Sequence, residues 1–382
     1  MKESLHRQVW TTISASALAH NVSVLRTLSD GAAICAVIKA NGYGHDAVII
    51  ATLLQETGGA DYLAVATVDE SMELRGSGIT MPVLVLGECS RIEMDLAIAN
   101  DVGLSVGSLL GAQTLLEAVT AAGRSVRVHL KVDTGMHRQG VLPEQALEAA
   151  QLLQHPLVDL EGVFTHFPVA DGNSADDDAF TRQQITQFRE VVAAMAAAGI
   201  TPRFVHSANS AALLRGLAEG DTMVRPGLSL YGYAPEAWID ELLHERGLSL
   251  RPVLSLQGRV SALRRVRAGA RPSYGRRRAV ANDATIITIP IGYADGFPRR
   301  LFATNQTVLV KGQRFSLAGQ VAMDQIVVNV GDLDVAVGDE VVLLGPQGNE
   351  CIDISEWATR LDTITWEVLC DLGARVPRVL GA

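Results

Sequence analysis

Through the first two thirds of the chain, short apolar, β-branched runs alternate with longer segments rich in alanine and leucine. The runs are AAICAVIKA, YLAVAT, MPVLVLG, GLSVGS, VRVHLKVDT, LEGVFTHF, PRFVHSA and MVRPGLSLYG. Their length and composition predict buried strands. Between them, HDAVIIATLLQ, TLLEAVTAAG, QALEAAQLLQ and TRQQITQFREVVAAMAAAG carry helical spacing. Several of these close on glycine, as a helix C-cap does. Eight strands, each but the last followed by a helix, predict a (β/α)8 TIM-type barrel. A doubly wound open sheet is the rival. That architecture usually carries a G-x-G-x-x-G loop after its first strand, and the GYGHD found here is not one.

From about residue 250 the rhythm changes. PVLSLQGRVSAL, ATIITIPIGYA, TVLVKGQRFSLAGQ, QIVVNVGD and DEVVLLG read as strands joined by glycine turns, and SEWATRL is a short helical piece near the end. The expected layout is a barrel over residues 10–245 and a C-terminal mostly-β domain over residues 246–382 that also takes in residues 1–9.

Composition narrows the function classes. The 382 residues carry a formal net charge of -10, and GRRRA (275–279) is the one basic cluster. Nucleic acid and anionic membranes are therefore poor partners. MKESLHRQVW lacks a signal core and no apolar run reaches ~18 residues, so a soluble cytoplasmic protein is expected. The four cysteines form no CxxC pair and read as buried thiols in a reducing compartment. No metal-ligand spacing occurs, and no metal is expected.

In a barrel, the chemistry sits at the C-terminal ends of the strands. The first strand ends at Lys39, and the fifth runs into KVDTGMHRQG with Lys131, Asp133 and Arg138. The sixth ends at His166; the seventh gives His206, Asn209 and Ser210; the eighth gives Arg225 and Gly227. The loops after strands seven and eight are a common phosphate site, and a helix opened by Asn209 and Ser210 favours an anion there. A strand-end lysine beside a phosphate suggests pyridoxal phosphate bound as a Schiff base. A sugar-phosphate barrel with a catalytic lysine, such as an aldolase, is the competing reading of the same residues.

AVIKANGYGHD resembles the cofactor-lysine motif of alanine racemases. KVDTGMHRQG, THF with a following AD, HSANSAALL, VRPGLSLYG, PSYGR, IPIGYADGFPR, GQVAMDQ and GARVPR resemble further motifs of that family in the same order, from about residue 9 to 379. The resemblance implies a fold-type-III pyridoxal 5'-phosphate enzyme and a head-to-tail homodimer with shared active sites. It implies a racemase of L- and D-alanine that supplies D-alanine for peptidoglycan.

The resemblance also implies roles. Lys39 holds the cofactor and serves as base on one face of the substrate. Tyr274, from the partner's β domain, serves the opposite face; two bases solve the problem that one base returns the proton where it came from. A phenol is a poor base unless positive charge lies close, and His166 and Arg138 are placed to provide it. Arg225 faces the pyridine nitrogen, with His166 behind it. Tyr43, Ser210 and the amides of Gly227 and Leu228 cradle the phosphate, with Asn209 alongside. Arg138, Met323 and Asp324 contact the substrate, and Tyr293 lines the entrance. Lys131 is a possible carbamylation site.

The sequence departs from the family pattern at TWEVLC, where Trp366 stands in place of a phosphate-contacting tyrosine, and at Pro168-Val169. An indole has only an N–H donor and more bulk. A serine or broader-specificity racemase is therefore the alternative. A fold-III decarboxylase is less favoured, because its glycine triplet and Cys-x-x-x-Asp segment are missing. A non-catalytic cofactor-binding barrel is disfavoured by the β domain.

Overall fold

The computed structural model describes residues 6–381. The chain forms two compact units. One comprises Ala17–Gly42 and Ala47–Arg251; the other takes in the chain's start up to Ser16, Tyr43–Asp46, and everything from Pro252 on. These limits differ from the expected 10–245 and 246–382 at both joins. Of the N-terminal segment assigned to the β domain, residues 1–5 lie outside the described residues.

The first unit is the (β/α)8 barrel. Its strands are β1 (Ala33–Val37), β2 (Tyr62–Val65), β3 (Val83–Glu88), β4 (Gly103–Val106), β5 (Val126–Lys131), β6 (Val158–Phe164), β7 (Phe204–His206) and β8 (Met223–Val224). They pair in parallel in the order β7-β6-β5-β4-β3-β2-β1-β8. The strands are buried almost throughout, as parallel strands under a coat of helices must be. The ring does not close by a regular ladder. At the β7–β8 seam, Thr222 N donates to Val205 O at 2.8 Å and Arg225 N to Ala208 O at 3.0 Å. Side chains supply further bonds there: the Asp221 carboxylate accepts the amides of Ser207 (2.7 Å) and Ala208 (2.8 Å), and Thr222 Oγ1 accepts that of Val205 (2.9 Å).

The second unit is mostly β. One sheet runs in the order Gln313–Ser316, Thr307–Val310, Glu340–Gln347, Leu254–Arg259, Val9–Ser14, Arg378–Gly381, with Glu350–Ile352 added on Glu340–Gln347. A three-stranded sheet joins Ala262–Val266, Ala284–Ile289 and Ile326–Gly331. Val9–Ser14 alternates buried and half-buried positions and pairs in parallel with Arg378–Gly381, so the two ends of the chain meet in one sheet. SEWATRL lies in the helix Ile354–Leu361, and a second helix, Thr365–Cys370, follows. The cysteines divide against expectation: Cys35 and Cys89 are buried, but Cys351 and Cys370 are exposed.

Candidate active site

Lys39 lies two residues past the end of β1, after Ile38, and the chain then turns through an unusual conformation. Ala40, Asn41 and Gly42 have φ of 52°, 53° and 62°, and Tyr43 continues at 52°. Left-handed backbone is strained for alanine and tyrosine and persists only where its surroundings hold it. Here the Glu70 carboxylate accepts the Ala40 amide at 2.6 Å with one oxygen and the Ala66 amide at 2.7 Å with the other. Asn41 Oδ1 accepts the amide of Ala47 at 2.9 Å, opening the next helix. Glycines beside Tyr43 thus mark a left-handed turn directly behind the lysine, in keeping with glycine's tolerance of positive φ.

The ends of β5 to β8 bring most of the remaining barrel residues together. Lys131 is buried, and its amine is pulled down to about 8, first by burial and then by Arg138, Arg225 and Lys39. His166 is pulled down to about 3 by burial, followed by Arg225, Arg138, Lys131 and Lys39. His166 is therefore neutral near pH 7. Burial and the surrounding cations thus disfavour the positive charge expected of His166. Arg138 is exposed on the loop after β5.

Arg225 is buried, and its guanidinium is pulled down to about 10 by burial, which leaves it charged near neutrality. Its Nη1 donates to His206 Nδ1 (3.0 Å) and His206 O (2.8 Å). Its Nη2 donates to Thr165 O (2.6 Å) and Ser207 O (3.1 Å) and lies 3.4 Å from His166 Nδ1. The nearer imidazole behind Arg225 is thus His206, which the sequence reading placed on the rim without this role. Phe164, also missed, lies under both cations, with its ring centroid 5.2 Å from the Arg225 guanidinium and 5.6 Å from Lys131 Nζ. Its position as the last residue of β6 was the available signal.

Asn209 caps the helix Ser210–Arg215 by accepting the Ala212 amide at 3.0 Å. Ser210 is buried, and its Oγ gathers the amides of Gly227 (2.9 Å) and Ser229 (3.2 Å) with the Ser229 hydroxyl at 3.0 Å. Leu228 opens the single helical turn Leu228–Tyr231 between them. Ser229 was not anticipated. A serine three positions past a strand-end Arg-Pro pair carries no signal of its own.

The residues present fit an anionic group. Four cations, Lys39, Lys131, Arg138 and Arg225, depress the titration of His166 together. The Arg225 bonds to described residues use Nη1 and Nη2 and leave its Nε–H as a donor. Hydroxyls and amides converge between β7 and β8, where a phosphate is commonly held.

The β unit carries the other predicted residues. Tyr274 is 72% exposed, Met323 52% and Tyr293 43%. Their loops are stitched to one another: Ser273 Oγ donates to Gln320 O at 2.6 Å, Tyr293 N to Ala322 O at 3.1 Å, and Ala294 N to Met323 O at 3.0 Å. Ser273 (φ 64°), Gly275 (φ 68°) and Arg276 (φ 46°) flank Tyr274 with left-handed backbone. The Asp324 carboxylate is engaged by Arg375 at 2.7 Å, and Arg375 also reaches the buried Asp295 at 3.2 Å. Tyr43 is buried in this unit, where burial, then Cys370, pushes its phenol up. Trp366 is half-buried on the helix Thr365–Cys370.

A (β/α)8 barrel with a lysine behind its first strand and a cationic mouth over its last four is a scaffold suited to an anion beside an amine. Residues 13–235 match the family described as "Alanine racemase, N-terminal domain", and residues 253–380 match "Alanine racemase, C-terminal domain". The chain belongs to the alanine racemase family. It is 40% identical over 382 residues to a protein named alanine racemase from Symbiobacterium thermophilum, covering 98% of this chain and 97% of that one. It is similar to the solved structure of alanine racemase from Clostridium difficile 630, with 38% identity and a TM-score of 0.91, covering 99% of this chain and 97% of that one. The histidine racemase from Leuconostoc mesenteroides is also similar, with 28% identity, a TM-score of 0.90 and full coverage of both chains.

Proposed function

We propose that this protein is a pyridoxal-phosphate-dependent racemase interconverting L- and D-alanine in the cytoplasm, working as a homodimer and supplying D-alanine for peptidoglycan. The observation that carries this reading is the gathering of Lys131, His166, Ser210 and Arg225 at the mouth of the barrel whose first strand leads into Lys39.

The protein's residues divide the work. Lys39 would hold the cofactor, Ser210, Tyr43, and the Gly227 and Leu228 amides its phosphate, and Arg225 Nε–H its ring nitrogen. Bound there, pyridoxal phosphate draws electron density from the substrate's α-carbon and so makes the α-proton acidic. Arginine does not give up its proton readily, so Arg225 acts as a hydrogen-bond donor and keeps the ring nitrogen unprotonated. That tempers the electron withdrawal and limits side reactions. The Lys39 amine moves the α-proton on one face. The phenol of Tyr274 from a second copy moves it on the other, with its exposure in the single chain leaving it open to such a partner. Arg138 orients the substrate, with Met323 and Asp324 contributing from the second copy and Tyr293 narrowing the entrance. Lys131, with its amine pulled down to about 8, is partly neutral near pH 7 and so open to carbamylation.

The test is chirally resolved product analysis of the pyridoxal-phosphate-loaded enzyme with L-alanine, L-serine, L-lysine and L-histidine. Alanine is expected to turn over fastest. Serine or histidine in first place would move the assignment to a different racemase, with Trp366 the first residue to exchange. Tyr274→Phe is expected to lower kcat for alanine racemisation by at least about 100-fold, the scale of losing a positioned base. Racemisation at the parental rate would refute the two-base scheme.

A further inference from the structure

Behind Arg225 the barrel interior holds a line of polar groups, His206, His129, Glu161 and Tyr62, that the chemistry above does not use. From Arg225 Nη1 it passes to His206 Nδ1 (3.0 Å), from His206 Nε2 to His129 Nδ1 (2.8 Å), and from His129 Nε2 to Glu161 Oε2 (3.4 Å). Tyr62 donates its hydroxyl to the same Glu161 oxygen at 2.5 Å. Both imidazoles are fully buried, stacked against Phe164 (His206, 4.9 Å between centroids) and Phe204 (His129, 6.2 Å).

The fold builds this line on purpose-shaped backbone. The β5–β6 register shifts between Val128 and His129: Val128 opposes Leu160, His129 opposes Gly162, and Glu161 falls in the bulge between them. A bulge re-aims the side chain it carries. Gly162 is the space for the next member, because a Cβ there would overlap the His129 ring.

The ends dictate the protons. A guanidinium only donates and a carboxylate only accepts. His206 must therefore accept at Nδ1 and carry its proton on Nε2, and His129 must do the same. Burial pushes both imidazoles down, consistent with neutral rings. We propose that Glu161 is a positioning residue for Arg225: as the acceptor that terminates the line, it holds His129 and His206 in their Nε2–H tautomers and so keeps His206 Nδ1 open to Arg225. Remove the acceptor, and either His129 buries an unpaired N–H or the line reverses and sets an N–H of His206 against Arg225. Either outcome loosens the guanidinium.

The consequence for cofactor affinity rests on the racemase reading; the consequence for the tautomers does not. The experiment is 15N imidazole spectroscopy of the cofactor-free full chain, together with titration of pyridoxal phosphate, on the parent, Glu161→Gln and Glu161→Met. The parent is expected to show His129 and His206 as Nε2–H. Glu161→Gln, which still accepts, is expected to keep both tautomers and nearly the parental Kd. Glu161→Met is expected to mix the His206 tautomers and raise the Kd about tenfold or more, the scale of losing a hydrogen bond to a charged group. Nδ1–H on His206 in the parent would overturn the proposal, and needs no variant to fold. So would parental tautomers and Kd in Glu161→Met, or loss of both in Glu161→Gln. A parent that shows the expected tautomers but binds no pyridoxal phosphate would sink the racemase reading and leave the line standing.

Discussion

Lys131 shows how one side chain feels the whole mouth. Its amine titrates at about 8, below the ordinary 10.5, because burial and neighbouring cations disfavour its charge. Between those values the unfolded chain binds more protons than the folded one, so stability rises with pH through that window. Below about pH 8 both states hold the proton and the cost of burying it is fully present. Lys131→Met is therefore expected to raise the Tm of the cofactor-free protein at pH 7, with the gain shrinking between pH 8 and 10.5. Calorimetry at pH 7 and pH 10 checks this, and an equal gain at both would contradict it. Lys39, Lys131, His166, Ser210 and Arg225 could be singled out in the sequence because each lies at or shortly past the end of a strand-like run. Roles such as that of Tyr274 came from family resemblance, since a turn tyrosine carries no chemical signal by itself. His129 and Glu161 were not legible. The bulge at Glu161 breaks the two-residue period that would have placed it inside, and His129 lies mid-strand, where it reads as core.

At the scale of elements, the seam between β7 and β8 is where side chains stand in for a ladder. Asp221 accepts two backbone amides there, and its carboxylate is paired with Arg189 at 2.6 Å. Asp221→Ala would leave the Ser207 and Ala208 amides without that acceptor, at a cost of about 2–4 kcal/mol. Urea unfolding is expected to show that loss, and a change within about 0.5 kcal/mol would mean the seam is held by other means. The eight strands and their helices were visible as alternating runs. The strands Val9–Ser14 and Arg378–Gly381 were not, because their pairing joins the two ends of the chain and no local pattern reports so distant a partner.

For the whole molecule, the division of labour predicts complementation. Lys39→Ala and Tyr274→Phe should each be inactive alone. If every site draws these residues from different copies, a mixed dimer carries one doubly defective site and one intact site. Random exchange of equal amounts should then restore about one quarter of the parental activity per chain. No recovery after mixing and refolding would place both residues in the same copy's site. Each chain meanwhile carries the seam of its own barrel, flanked by Ser210 and Arg225. A ligand that grips both side chains would bridge the wall at the join that no regular ladder closes, so its binding would add to what holds the barrel shut.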